Sequence, residues 1–502
     1  MRVDGTPRSN AAIGDLDALA MLEADTTLEA ARPLLELAAE YFAATRAGEG
    51  PVSTWHSAEV IADRLVEPLP RGPKPLPDVA RRLSSLLLED VNRLAHPMYI
   101  GHQVSAPLPA AAWTDALISA LNQSMAVREM SPSFTPLEHQ VIEWMTDLIG
   151  WDDNLAGGTF TSGGTEATFT ALLAARSRAI PGVWAHGVGA HPPVLVCGEH
   201  AHYAVSRAAG ELGLGLNRVV TIPSYEHKLC VPLLREQLTK LRGAHQRIMA
   251  VVATAGCTAT GSFDDFNAIA DLCEEFGDDH GPLWFHVDAA HGGGALLSSQ
   301  HKGRLAGLHR ANSVAFDPHK TLLLPLASGM LLMREEHDLE RAFSQSAPYL
   351  FTPGGDAHAW DMGPRSFQCS RRADVLKLWV AFQRYGADAM AQLYDRLCRM
   401  AQTLYTRLEG HPYFTPLHAP ESNILCFAWN PVGVRESQKD ALTDALRERY
   451  NRSGRGWITV TTLDGRRVLR ITVMNARTDE THIAELVHGL EHEAEWVLKH
   501  HG

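Results

Sequence analysis

Apolar positions along this chain change rhythm several times, and the changes mark its elements. Over residues 16–47 they recur at helical spacing (Leu28, Ala31, Leu34, Leu35, Ala38, Tyr41, Phe42), which predicts two amphipathic helices in need of a partner surface. A Pro- and Gly-containing linker follows at 68–77. Helices are predicted over 81–94, 113–126 and 136–149, the last with Thr135 as N-cap and Glu138 three residues on, as in a capping box. Another helix is predicted over 166–178. Beyond it, apolar runs at 194–197, 219–222, 249–254, 284–287, 314–316 and 329–333 alternate with helical spans at 204–212, 233–241 and 266–276. That alternation predicts an α/β fold with a mainly parallel sheet covered on both faces. After 375 the rhythm changes again. Helices within 375–407, strands at 424–429, 457–461 and 468–472, and helices at 436–450 and 480–499 predict a smaller α+β domain. The expected organisation is an N-terminal helical segment (1–95), a large α/β domain (96–360) and a small C-terminal domain (361–502).

Composition narrows the partners. The chain has 502 residues, too many for one compact core, and its 45% hydrophobic content is that of a globular protein. A formal charge of −13 argues against nucleic acid or an anionic membrane as the partner. Seven cysteines without CxxC spacing read as reduced, mostly buried thiols, and so as a cytoplasmic protein. Residues 1–15 lack an apolar core and do not read as a signal peptide. The apolar run 321–333, broken by Pro325, reads as a buried strand pair and not as a membrane span.

Three stretches carry chemistry. In Ser313-Val314-Ala315-Phe316-Asp317-Pro318-His319-Lys320 an apolar run delivers one lysine to a polar turn. Such a lysine either snorkels outward or becomes an amine nucleophile. Upstream, Trp284-Phe285-His286-Val287-Asp288-Ala289-Ala290 ends an apolar strand on an aspartate, followed by two alanines and a glycine cluster. A carboxylate there can sit under the nitrogen of a pyridinium, with alanine leaving room for a flat ring. Ser162-Gly163-Gly164-Thr165-Glu166-Ala167 precedes a helical pattern, where free N–H groups and the helix dipole favour an anion such as phosphate.

With His96-Pro97, His202 and Arg371, these motifs stand in the order of the group II pyridoxal-phosphate-dependent amino-acid decarboxylases, which the chain resembles from about His96 to about His482. The family includes glutamate, aspartate, diaminobutyrate and aromatic-amino-acid decarboxylases. The resemblance implies fold type I, pyridoxal 5′-phosphate as cofactor, no metal and a homodimer across which the N-terminal segment packs. It implies that Lys320 holds the cofactor covalently, that Asp288 keeps the pyridine nitrogen protonated and that His202, in preference to His200, stacks on the ring. Ala290 would lie against the ring. Gly163, Gly164 and Thr165 would bind the phosphate, with His319 adding a contact and Thr258 lying near the cofactor, although Cys257 departs from the usual threonine. Arg371 would take the substrate α-carboxylate, with Arg372 as the competing candidate. Tyr349, at the start of a presumed lid over 349–366, matches the residue associated with protonation after decarboxylation. Phenylalanine there would resemble aldehyde-forming relatives. His102, Gln103 and Ser105 fall where relatives place specificity residues, and their polarity favours aspartate, glutamate or 2,4-diaminobutyrate, unless they only build a turn.

The implied activity is α-decarboxylation of an L-amino acid to its amine. The rivals are an aromatic substrate, another reaction of the same cofactor (aldehyde synthase, aminotransferase, lyase) and a binding protein on the same fold. His488 and His492, spaced i, i+4, read as a solvated helix face, not a metal site. Gly213-Leu214-Gly215 lacks the context of a dinucleotide fingerprint.

Overall fold

A computed structural model describes residues 20, 22–279, 281–343 and 360–501. Tyr349 and most of the presumed lid lie outside the described residues. The chain divides into two compact units between His96 and Pro97.

In the first unit the helical rhythm produces the helix Leu28–Ala47, where Thr27 Oγ1 accepts from the Ala30 N–H at 3.1 Å and Gly48 closes the far end at φ 70°. The helix expected over 81–94 is displaced toward the N-terminus. A helix spans Leu76–Leu83, set by proline in its first turn, and passes into a wider five-residue turn, Ser84–Leu88. Beyond it the chain is tied elsewhere. Asp90 takes the Arg64 guanidinium at 2.9 Å and the Thr54 hydroxyl at 3.0 Å, and the Arg93 N–H donates to the Val52 carbonyl.

The second unit holds a seven-stranded sheet. In chain order its strands are β1 (Gly157–Thr161), β2 (Val194–Gly198), β3 (Val219–Ile222), β6 (Ile248–Thr254), β7 (Trp284–Asp288), β8 (Ser313–Phe316) and β9 (Gly329–Met333). A two-residue hairpin, β4 (Ser224–Tyr225) with β5 (Lys228–Leu229), stands apart. The order across the sheet is β1-β9-β8-β7-β6-β2-β3; β8, β7, β6, β2 and β3 run parallel, and β9 is antiparallel to both of its neighbours. The α/β class and the mainly parallel sheet are therefore borne out. The periodicity did not reveal β1, whose Gly-Gly-Thr-Phe-Thr lacks an apolar run. The helix Gly164–Ala179 packs on the sheet through Ala167, Ala171, Leu172 and Ala175. Of the apolar run 321–333 only Gly329–Met333 is a strand, because 321–328 turns back over the site.

A second, four-stranded antiparallel sheet has the order β10 (Phe414–Pro416), β11 (Ile424–Trp429), β13 (Arg466–Thr472), β12 (Thr459–Leu463). It is extended by the segment 98–101: the Ile100 N–H donates to the Trp457 carbonyl at 2.9 Å and the Thr472 N–H to the Ile100 carbonyl at 3.0 Å. No helix among the described residues is long and apolar enough to cross a membrane.

The expected capping box is absent. The helix Phe134–Ile149 starts after Ser133, Thr135 lies in its first turn with its hydroxyl donating to the Ser131 carbonyl, and Glu138 is buried with other partners. A carboxylate that could have bonded its own helix start is drawn to a buried cation. The helix expected over 113–126 is Pro109–Leu121, closed by Asn122 at φ 46°.

Candidate active site

Parallel strands end on the same side of the sheet, and that edge builds the site. Asp288 closes β7, in register with Thr254 of β6 and Ala315 of β8. Four residues after β8 comes Lys320, in a turn where the Lys320 N–H donates to the Asp317 carbonyl at 2.9 Å. The turn between β1 and the helix Gly164–Ala179 faces them. Together they line a cavity of about 330 Å³, bounded by Gly163, Gly164, Thr165, His202, Thr258, Asp288, Ala290, His319 and Lys320 among others. Nine residues singled out from the sequence thus converge on one space.

The cavity meets the demands of a phosphorylated pyridine aldehyde. At the helix start the turn is kept bare: a side chain at Gly164 would come within 2.7 Å of Ala290 Cβ, and one at Gly329 within 2.5 Å of Gly163 Cα. The backbone N–H groups there remain open to an anion. Glu166 binds back to Ser162, taking its N–H at 2.9 Å and its hydroxyl at 2.6 Å, which fixes the turn. Asp288 accepts from the Ala290 N–H at 3.1 Å through Oδ1, leaving Oδ2 without a protein partner among the described residues. Burial raises the Asp288 pKa and the fields of Lys320 and His202 oppose this, so a cation facing the free oxygen stabilises the carboxylate. His202 accepts from the Ala204 N–H through Nδ1 at 3.2 Å, which leaves the proton on Nε2, and burial lowers its pKa against the pull of Asp288. His319 is fixed in the same way, its Nδ1 accepting from the Ser328 N–H at 3.1 Å. Burial also lowers its pKa, opposed by Asp317.

Other expected residues lie elsewhere. Arg371 is not in the cavity lining; its Nη1 and Nη2 donate to Glu138 Oε2 and Oε1 at 2.9 and 2.7 Å. Glu138 Oε1 also accepts from the Phe160 N–H of β1 at 3.0 Å. This corrects the carboxylate-binding expectation: the guanidinium fork is filled by a protein carboxylate, with both groups buried. Arg372 is exposed and pairs with Asp115. His102 and Gln103 follow the added segment 98–101, outside the lining. Ser105 builds the chain path, its hydroxyl set between the His319 and Leu324 carbonyls at 2.9 and 3.1 Å. His200 turns away to Ser224. Cys257 is buried and its thiol pKa raised by that burial, which makes it inert. Five of the seven cysteines are buried, whereas Cys369 is exposed. His488 is exposed, and no metal-holding group of His, Cys, Asp or Glu occurs among the described residues.

The structure also adds residues that sequence reasoning passed over. Asp317 lies in the quoted motif, buried, with Oδ2 3.2 Å from Lys320 Nζ and 3.5 Å from His319 Nε2. Lys377 is fully buried, its ammonium 2.7 Å from the Ala327 carbonyl and 2.9 Å from Asp374, so it pins the segment that follows Lys320. Arg470 of β13 is buried, donating through Nε to the Ala259 carbonyl at 3.2 Å and through Nη1 to the Thr459 hydroxyl at 3.3 Å. Its Nη2 has no partner and no carboxylate pairs with it among the described residues. A single arginine in a strand carries no sequence signal of this kind.

Residues 64–430 match the family model described as the pyridoxal-dependent decarboxylase conserved domain. The chain belongs to that family, of fold type I, and is a pyridoxal-phosphate-dependent decarboxylase of group II. It is similar to mouse CSAD, at 28% identity and a TM-score of 0.86 over 96% of this chain and 99% of that one. It is also similar to the glutamate decarboxylase domain of diaminobutyrate-pyruvate transaminase and L-2,4-diaminobutyrate decarboxylase from Vibrio parahaemolyticus, at 25% identity and a TM-score of 0.81 over 94% and 97%. The Oryza sativa TDC structure with PLP and tryptamine shares the fold at 22% identity, with a TM-score of 0.86 over 97% and 99%.

Proposed function

We propose that the chain decarboxylates an L-amino acid with a polar, acidic side chain, with aspartate and glutamate as the first candidates. When bound, pyridoxal 5′-phosphate supplies an electron sink for the carbanion left as carbon dioxide departs. The protein's part in this reading is to bind, orient and hold protons. Lys320 provides the amine, Asp288 a negative charge for the ring nitrogen, and His202 an aromatic face. Gly163, Gly164 and Thr165 provide the anion cradle, with His319 and Thr258 beside it.

The observation that carries this reading is the positive end of the site around Arg470, beside His102 and Gln103. A buried guanidinium without a carboxylate partner is costly and is suited to an anionic ligand. It is bonded to the carbonyl of Ala259, next to the cavity residue Thr258, and Thr459 links it to the Gly101 carbonyl beside His102. Burial lowers the His102 pKa, and the charges of Arg470 and Arg447 push it in the same direction, so this side of the site is positive. The buried Gln103 Nε2 has no partner and can donate to a second acidic group. We therefore assign the substrate α-carboxylate to Arg470 in place of Arg371, and the side-chain acid to His102 and Gln103. Positive charge disfavours a diamino substrate.

Tyr349 remains our choice for the proton donor after decarboxylation. We also place a homodimer contact on the helix Pro109–Leu121, where Trp113, Leu117 and Leu121 are exposed at i, i+4 and i+8 by 41, 50 and 43%. The test is an absorbance scan and carbon dioxide assay over a panel of L-amino acids. Release from an acidic member, lost in Lys320→Ala, supports the reading. Release from aromatic or diamino members alone overturns the substrate class. Amine from wild type and aldehyde from Tyr349→Phe support the role of Tyr349.

A further inference from the structure

We propose that Asp317 is the proton-accepting partner of Lys320: it holds the amine in place and takes its proton when the amine must attack a carbonyl. The inference rests on the assignment of Lys320 as the cofactor-binding amine. Lys320 Nζ lies 3.2 Å from Asp317 Oδ2 and pairs with no other carboxylate among the described residues. Asp317 is 2% exposed, its Oδ1 has no hydrogen-bond partner, and its chain is fixed by an N–H donated to the Ala290 carbonyl at 3.2 Å. A buried carboxylate of this kind is expensive unless a cation compensates it. Its surroundings leave no slack, since side chains at Gly164 and Gly329 would come within 3.1 and 2.8 Å of its two oxygens.

The other groups around the amine are poor receivers of its proton. His202 and His319 each have the Nδ1 lone pair taken by a backbone N–H, which leaves Nε2 as a donor. His291 gives its Nε2 proton to Asn423 Oδ1 at 2.7 Å, and burial pushes its pKa down to about 3. Asp288 faces the same space but makes no ion pair with Lys320 within 4.0 Å, and in the proposed function its charge serves the ring nitrogen. Lys377 acts on His319 from behind and is held by Asp374. Among the described residues, only Asp317 touches Nζ with an open acceptor.

The step balances without an outside reagent. The Lys320 ammonium gives one proton to Asp317 Oδ2, and the neutral amine forms its bond to the carbonyl carbon. The carbonyl oxygen leaves as water, carrying one proton from the amine and the one held by Asp317. The carboxylate is restored and no proton is lost to the medium. The same exchange, reversed, recharges the lysine when it is freed.

The test follows cofactor loading on the full-length protein freed of cofactor, by absorbance against pH, in wild type, Asp317→Asn and Asp317→Ser. A control measures the affinity of each for pyridoxine 5′-phosphate, which has the phosphate and ring but no aldehyde. Both variants are expected to keep that affinity within about twofold while loading pyridoxal 5′-phosphate at least about tenfold more slowly at pH 7, as removal of a general base predicts. Their loading rates should climb steadily with hydroxide, whereas the wild-type rate levels off. Wild-type rates and pH profile in both variants would overturn the proposal. So would a loss of pyridoxine 5′-phosphate affinity parallel to the loss of rate, which would make Asp317 a support of the cradle. A wild-type protein that binds pyridoxal 5′-phosphate and forms no Lys320-dependent band would remove the amine assignment itself, and the proposal with it.

Discussion

Glu138 holds Arg371 through two parallel hydrogen bonds of 2.9 and 2.7 Å, and neither side chain is more than 5% exposed. The pair joins the helix Phe134–Ile149 to the start of the segment that carries Lys377, and through the Phe160 N–H it also reaches β1. Breaking one half of a buried pair strands the other charge. Glu138→Gln is therefore expected to lower the unfolding free energy by about 3–5 kcal/mol. Urea unfolding checks this. An Arg371→Met variant with unchanged stability and a KM raised by orders of magnitude would return Arg371 to the substrate.

Arg470 predicts the opposite pattern. With no protein carboxylate to strand, Arg470→Met should keep or raise the melting temperature. It should lower kcat/KM by roughly a hundredfold, the equivalent of about 3 kcal/mol of charge-assisted hydrogen bonding. Steady-state kinetics beside a thermal melt separates the two effects.

The cradle is tested by Gly164→Ala. Its added methyl would meet Ala290 Cβ at 2.7 Å and Asp317 Oδ2 at 3.1 Å. Overpacking of this degree costs about 1–3 kcal/mol, so cofactor affinity should fall by roughly tenfold or more. Fluorescence titration with pyridoxal 5′-phosphate measures it, and unchanged affinity would show that the turn relaxes freely.

Acid sensitivity follows from His286, fully buried on β7. Its Nδ1 bonds the Ser313 hydroxyl at 2.9 Å, Nε2 has no partner, and burial pushes its pKa down to about 3. In the unfolded chain the imidazole charges near pH 6.5, so between about pH 6.5 and 3 the unfolded state binds a proton that the folded state refuses. The contribution is whole above pH 6.5 and is lost as pH falls through that window, by up to about 1.4 kcal/mol per pH unit. His286→Phe should flatten the decline of melting temperature between pH 7 and pH 5 relative to wild type. An identical decline in the variant would remove His286 as a cause.

Much of this protein is legible in its sequence. The apolar runs that became β2, β6, β7, β8 and β9 are buried almost throughout, on both sheet faces, so their side chains must be apolar whatever the contacts. The order of the glycine turn, Asp288 and Lys320 was legible for a related reason. Strand ends and the turns after them present chemistry at one edge of such a sheet.

Tertiary structure decided what depends on partners far apart in the chain. Thr135 and Glu138 have the spacing of a local cap, yet Glu138 found Arg371, 233 residues away, and the cap did not form. Arg371 and Arg470 are both buried arginines; one is neutralised by a buried carboxylate and the other is left open beside Ala259. Asp317 and Lys320 are three residues apart, but their contact matters because the turn around them is buried and both nearby histidines have their lone pairs taken by backbone N–H groups. Periodicity reports which face of an element avoids water. It carries no record of which charge meets which, because that pairing is settled by distances between elements that only the folded chain sets.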